Sequence, residues 1–270
     1  MKRMNRILGV FLCLIMAISG SPCAMASGNS MIDVSTSSEG YYTVDCDNYI
    51  GTKMKIGVTY DGRTEYFDYT AGTESAYPFL KGDGYYTLTL YRHLSGTKYR
   101  QISTARVNVI LEDPLAPYLI STVDVTFSQD DTVGLTTTNI CFDLETDEDK
   151  IVAIHNYIAK NFRYDYMFAA KVRNGTITSY TPDTNQLLET RKGVCCDFAS
   201  LFAAMCRSQG IPCAVATGYH DGGYHAWNFL YIDGEWLPVD LTMAVSRRGA
   251  NYDDLSDCVV SLDRYSDYTF

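Results

Sequence analysis

The hydrophobic period of this 270-residue chain changes at EDPLAPY, residues 112 to 118. Before it, from about Met31 to Leu111, apolar and polar residues alternate through YYTVDC, KMKIGVTY, TEYFDYT, YYTLTLY, KYRQIS and ARVNVIL. Asp61-Gly62, Gly72, Gly82-Asp83-Gly84 and Ser95-Gly96 punctuate those runs. A period of two sends successive side chains to opposite faces, so short alternating runs with regular turns predict a small all-β sandwich. No nucleophile and base cluster in that stretch, which marks it as an accessory module. Two prolines and a charge pair make 112 to 118 a linker. After it, Thr146-Asp147-Glu148-Asp149 reads as a helix N-terminus, and Ile151, Ile154, Ile158 and Phe162 recur at helical spacing. His155 and Tyr157 lie off that stripe, so His155 is expected at the surface or hydrogen-bonded. Residues 166 to 186 are polar and turn-rich and read as a loop over a cleft.

The N-terminus carries Lys2, Arg3 and Arg6, the apolar run ILGVFLCLIMAISG, and Ala24-Met25-Ala26. A basic region, an apolar core too short to span a bilayer and a small-x-small site predict a signal peptide over 1–26, cleaved before Ser27. Pro22 before Cys23, with no aliphatic residue three positions back, argues against lipoprotein anchoring. The expected location is therefore secreted or cell-surface, with no stable membrane insertion after cleavage. Loss of three positive charges from a net charge of −10 leaves about −13, which argues against nucleic acid as a partner. The expected division is 27–118 for the sandwich and linker and 119–270 for a catalytic part.

Removing Cys13 and Cys23 with the leader leaves seven cysteines: Cys46, Cys141, Cys195, Cys196, Cys206, Cys213 and Cys258. An odd number in an oxidising compartment leaves at least one thiol without an intramolecular partner. The pairing of the rest stays open, with burial as free apolar cysteines the plain alternative. No C-x-x-C pair with a matching half and no EF-hand spacing occurs, so neither zinc nor calcium, and no other metal or cofactor, is indicated.

RKGVCCDFASLFAAMCRSQG, residues 191 to 210, puts two of those thiols at a helix start. Phe198, Leu201, Phe202 and Met205 give the stripe, Gly210 the stop and Gly193 the turn before it. Free N–H groups and the dipole at that end favour a thiolate, which is the nucleophilic form. Downstream, GGYHAWNFLYIDGEWLPVDLT holds Asp233-Gly234, a two-residue hairpin signal. Pairing Ile232 with Glu235 sets Trp227 opposite Asp240 and His225 opposite Thr242, with His225 and Asp240 diagonal neighbours on one face. Cysteine, histidine and carboxylate then have the chemistry of nucleophile, base and orienting group.

GVCCDFASLFAAMCRSQGIPCAVATGYH followed by HAWNFLYIDGEWLPVD resembles the transglutaminase-like superfamily, over about residues 140 to 245. The resemblance rests on three ordered blocks: a G-x-C-x-[DE] helix start, an H-A-W strand and a strand ending in Asp. It implies an α+β, papain-like transglutaminase core, a Cys-bearing helix packed on an antiparallel sheet. Within it Cys195 is the nucleophile, His225 the base and Asp240 the orienting carboxylate. The motif selects Cys195 over Cys196, which is turned about 100° round the helix and is expected to pack in the core. Likeness to animal transglutaminases adds an oxyanion donor seven residues before a Leu-Leu pair, where this chain has Tyr180 ahead of Leu187-Leu188. The implied activity is cleavage of amide bonds in a peptide or protein substrate, cell-wall or extracellular, by a cysteine peptidase or amidase through a thioester. Crosslinking acyl transfer to an amine and a non-catalytic binding or assembly role are the alternatives.

Overall fold

The computed structural model describes residues 31–72, 76–247 and 250–270, so the signal peptide expected over 1–26 lies outside the described residues. The chain divides into two compact units, one drawn from the described residues among 1–37, 42–74 and 83–110, the other from 38–41, 75–82 and 111–270.

The first unit is built on hairpins. β1 (Ile32–Asp33) pairs antiparallel with β2 (Tyr41–Val44). β3 (Lys53–Tyr60) and β4 (Arg63–Thr70) join through Asp61-Gly62, both at positive φ, the backbone that a tight two-residue turn requires. After the short β5 (Ala76–Pro78), which groups with the second unit, β6 (Gly84–Ser95) and β7 (Lys98–Val109) form a long hairpin. The resulting sheet runs β4-β3-β6-β7, antiparallel throughout. Met54, Ile56, Tyr86, Leu88 and Leu90 bury one face, as their alternation requires. Tyr42 and Tyr86 are buried while Tyr85 is exposed, so the tyrosine pairs divide between core and surface as strand residues do.

The second unit mixes helices with an antiparallel sheet, the α+β class. α1 (Thr132–Ile140) and α2 (Asp147–Asn161) start at Asp131 and Thr146, whose side chains accept from Gly134 and Asp149 N–H. β8 (Arg163–Tyr164) precedes α3 (Tyr166–Arg173), and α4 (Thr184–Thr190) precedes β9 (Lys192–Gly193), which pairs in parallel with β8. The segment 166–186 is thus not a loop throughout. Asp165 caps α3, and because α3 buries no residue it carries no apolar stripe to reveal it in sequence. α5 (Cys195–Ser208) is buried along nearly its whole length and packs on β10 (Cys213–His220) and β11 (Gly223–Ile232). β12 (Glu235–Val239), α6 (Leu241–Ser246), α7 (Leu255–Cys258) and β13 (Tyr265–Thr269) complete the unit, with sheet order β12-β11-β10-β13. Arg207, itself buried, ties the end of α5 down by donating to the Cys213 and Ile120 carbonyls.

Candidate active site

α5 begins without a capping oxygen, because its N-cap residue is Val194. Asp197 compensates from the third helical position: its Oδ2 accepts the Val194 N–H at 2.7 Å and its Oδ1 the Tyr180 hydroxyl at 2.7 Å. Gly193 is required for space rather than for a special φ. A β-carbon there would lie 2.7 Å from Asp197 Cβ and 2.8 Å from Leu187 Cδ1. This packing delivers Cys195 to the first turn, half-buried, where the dipole favours its thiolate.

The β11–β12 hairpin turns at Asp233-Gly234 and pairs Ile232 with Glu235, but the ladder ends at Asn228 and Val239. Asp240 and Thr242 therefore do not pair across strands. Asp240 instead caps α6, its Oδ1 accepting the Thr242 and Met243 N–H groups at 2.8 and 3.2 Å. That cap swings Oδ2 to 2.8 Å from His225 Nε2. With Nε2 engaged, Nδ1 is the nitrogen left for Cys195, and the cysteine and the imidazole shift each other's protonation. Trp227 stacks beside His225 at 6.0 Å with 19° between the rings, walling the imidazole.

The charges support one another. Burial alone would strip the proton from His225, but its interactions with Asp240 and Cys195 as acceptors, and their negative charges, outweigh it and hold the imidazolium up to about 9. Cys195 is driven well below an ordinary thiol, first by the Cys196 thiol donating to its sulfur, then, against burial, by His225 and the Ala226 backbone N–H. Cys196 moves upward because that donated proton is held between the sulfurs, with burial and Asp197 adding to the effect. Burial works against the charge on Asp240, yet His225, Tyr265 and the α6 amide of Met243 keep its carboxyl below the usual range.

Cys195, His225 and Asp240 therefore meet in one place. Tyr180 stands by the same helix start, but its single proton goes to Asp197, so an oxyanion donor role is not what this geometry gives it. Cys196 is half-buried beside Cys195 rather than packed in the core. His155 is only 2 % exposed, edge-on to Tyr252 and Phe202, and burial lowers its pKa to about 4. It belongs to the inner side of α2, because the buried face of that helix is wider than the isoleucine stripe. Sequence reasoning missed Tyr265, whose hydroxyl donates to Asp240 Oδ2 at 2.7 Å from a strand with no apolar alternation to announce it. A cavity of about 260 Å3 is lined by His155, His220, Asp240, Met243 and Tyr265 among others, and neither Cys195 nor His225 lines it. All seven described cysteines are free thiols. Among the described residues no group of three His, Cys, Asp or Glu side chains is arranged to hold a metal ion.

Residues 136–241 match the family model of the Transglutaminase-like superfamily. The kyphoscoliosis peptidase of Homo sapiens is 33% identical over 109 residues, covering 36% of this chain and 16% of that protein, and the Mus musculus peptidase matches to the same extent. The match thus takes in 16% of the length of these relatives. A solved structure described as a TGase is 23% identical, covers 46% of this chain and 34% of its own, and aligns with a TM-score of 0.37.

Proposed function

Because residues 136–241 match the family model of the Transglutaminase-like superfamily, we propose that this chain is an exported thiol enzyme that cleaves amide bonds through Cys195, His225 and Asp240. The observation that carries the reading is one constellation: a cysteine at a helix start and an imidazole that lies 2.8 Å from a buried carboxylate and lowers the cysteine's pKa. The Cys195 thiolate attacks the carbonyl carbon, and the first-turn backbone N–H of Cys195 stabilises the developing oxyanion. The His225 imidazolium protonates the departing amine, leaving a thioester on Cys195. Neutral His225 then takes a proton from the incoming water, whose oxygen displaces the thiolate. Asp240 stays ionised and holds the imidazole's orientation and charge.

Water as the acceptor makes the enzyme a cysteine peptidase or amidase, a reading the names of the two peptidase relatives support. Export rests on the leader over 1–26, and the segment 27–118 is proposed to contribute no catalytic group. The test is mass spectrometry of a peptide library incubated with the protein and an added primary amine. Shortened peptides are expected; amine incorporated at glutamine instead makes the enzyme a crosslinking transferase, and no Cys195 adduct at all supports a binding protein.

A further inference from the structure

Asp240 is a wholly buried carboxylate served by four protein donors. Thr242 and Met243 N–H groups hold Oδ1, and Oδ2 takes both the His225 Nε2 proton and, at 2.7 Å, the Tyr265 hydroxyl. Tyr265 comes from β13, which pairs with β10 so that Tyr265 faces His220. Its ring is clamped between Trp227 at 4.7 Å and His220 at 4.6 Å, and the residue is 8 % exposed. A side chain fixed this firmly delivers its proton to one acceptor with little freedom to leave it.

Resting on the triad reading above, we propose that Tyr265 is a positioning residue: by sharing Asp240 Oδ2 with His225 Nε2, its hydroxyl fixes the carboxylate and moderates how strongly that carboxylate holds the imidazolium. A donor to a carboxylate draws off part of its negative charge and weakens it as a partner for a second donor. Without the phenol, Asp240 interacts more strongly with the His225 cation, and the imidazolium deprotonates at higher pH. An imidazolium that gives up its proton less readily is a poorer acid toward the leaving amine. The other groups bearing on His225 are Cys195 from α5 and His220 from β10; Arg264, ion-paired to Asp221, acts on His220 and Tyr265, and Arg247 acts on Tyr265 from the end of α6. Tyr265→Phe, which keeps the ring packed on His220, leaves all of them in place.

The experiment is an NMR titration of the His225 ring protons in the full chain, with the resonance identified by its loss in His225→Gln. Tyr265→Phe keeps the ring and removes the hydroxyl. It is expected to raise the His225 midpoint by about one pH unit, the size of one hydrogen bond to a charged group. Tyr265→Leu, which removes the ring as well, should raise it equally. A midpoint unchanged in Tyr265→Phe, or a shift seen in Tyr265→Leu alone, overturns the assignment and leaves Tyr265 a packing residue. The readout needs no turnover, so a raised midpoint in a chain that cleaves nothing keeps the Tyr265 assignment and removes the hydrolase reading. Where cleavage is observed, Tyr265→Phe should lower kcat several-fold with KM unchanged.

Discussion

The Tyr180 hydroxyl donates to Asp197 at 2.7 Å, and through Asp197 it reaches the Val194 N–H that opens α5. With valine at the N-cap no side chain there accepts the first-turn N–H groups, and Asp197 supplies the remaining half of a capping box by accepting the Val194 N–H. Asp197→Ala is expected to cost about 1–2 kcal/mol of stability, as cap losses do. Urea denaturation measures it. Tyr180→Phe should cost about 1 kcal/mol or less and leave turnover within roughly threefold, whereas loss of an oxyanion donor costs on the order of a hundredfold or more.

The three triad substitutions should rank in order. Cys195→Ala abolishes the acyl-enzyme, and His225→Ala does nearly as much damage because one group serves as acid and then base. Asp240→Ala is expected to slow turnover by roughly tenfold to ten-thousandfold. It should also lower stability by about 1 kcal/mol or more, since the same carboxylate caps α6. Acyl-enzyme mass spectrometry and thermal melting separate the two effects.

Cys196→Ala, neutral if the side chain only filled the core, is expected instead to raise the Cys195 pKa, because the neighbouring Cys196 thiol is the largest influence lowering it. Iodoacetamide labelling at pH 6 is expected to slow roughly three- to tenfold while labelling at pH 8.5 changes little. Equal rates at both pH values remove Cys196 from the account.

The pH profile follows from the ion pair. His225 is protonated up to about 9, above the ordinary 6.5, so its contribution to stability is full below 6.5 and is lost as pH rises through about 9. Activity is lost on the same alkaline limb. On the acid side it fails only as Cys195 regains its proton, well below ordinary thiol pKa values. Rate and denaturation midpoint measured against pH should share the alkaline fall, and His225→Gln should remove it from the stability curve.

Much of this was legible in the chain. Alternation located β3, β4, β6 and β7, and the Asp233-Gly234 turn fixed the β11–β12 register, because both are local signals. The site was legible where three separated blocks each carried a type of chemistry. What stayed hidden depended on the end of an element. The ladder was carried past Val239 because nothing in LPVDLT states that Asp240 would cap a helix rather than continue a strand. Tyr265 lies 25 residues beyond Asp240, and only the closure of β13 on β10 brings them together. The interior place of His155 was hidden by the usual polarity of histidine, which a neutral ring between aromatics escapes.

That buried histidine yields the last expectation. His155 lies against Tyr252 and Phe202, and burial holds its pKa at about 4 against an ordinary 6.5. Above 6.5 the ring is neutral in folded and unfolded chains alike and adds no pH dependence. Between 6.5 and 4 the unfolded chain takes up a proton that the folded chain refuses, so stability falls across that window and levels off below it. The slope approaches roughly 1.4 kcal/mol per pH unit for one such group. His155→Phe keeps an aromatic ring in the site without a titrating nitrogen. Urea denaturation at steps between pH 7 and 4 should show the variant losing less stability than the native chain over this window. Parallel curves for the two proteins would mean that His155 takes its proton inside the fold.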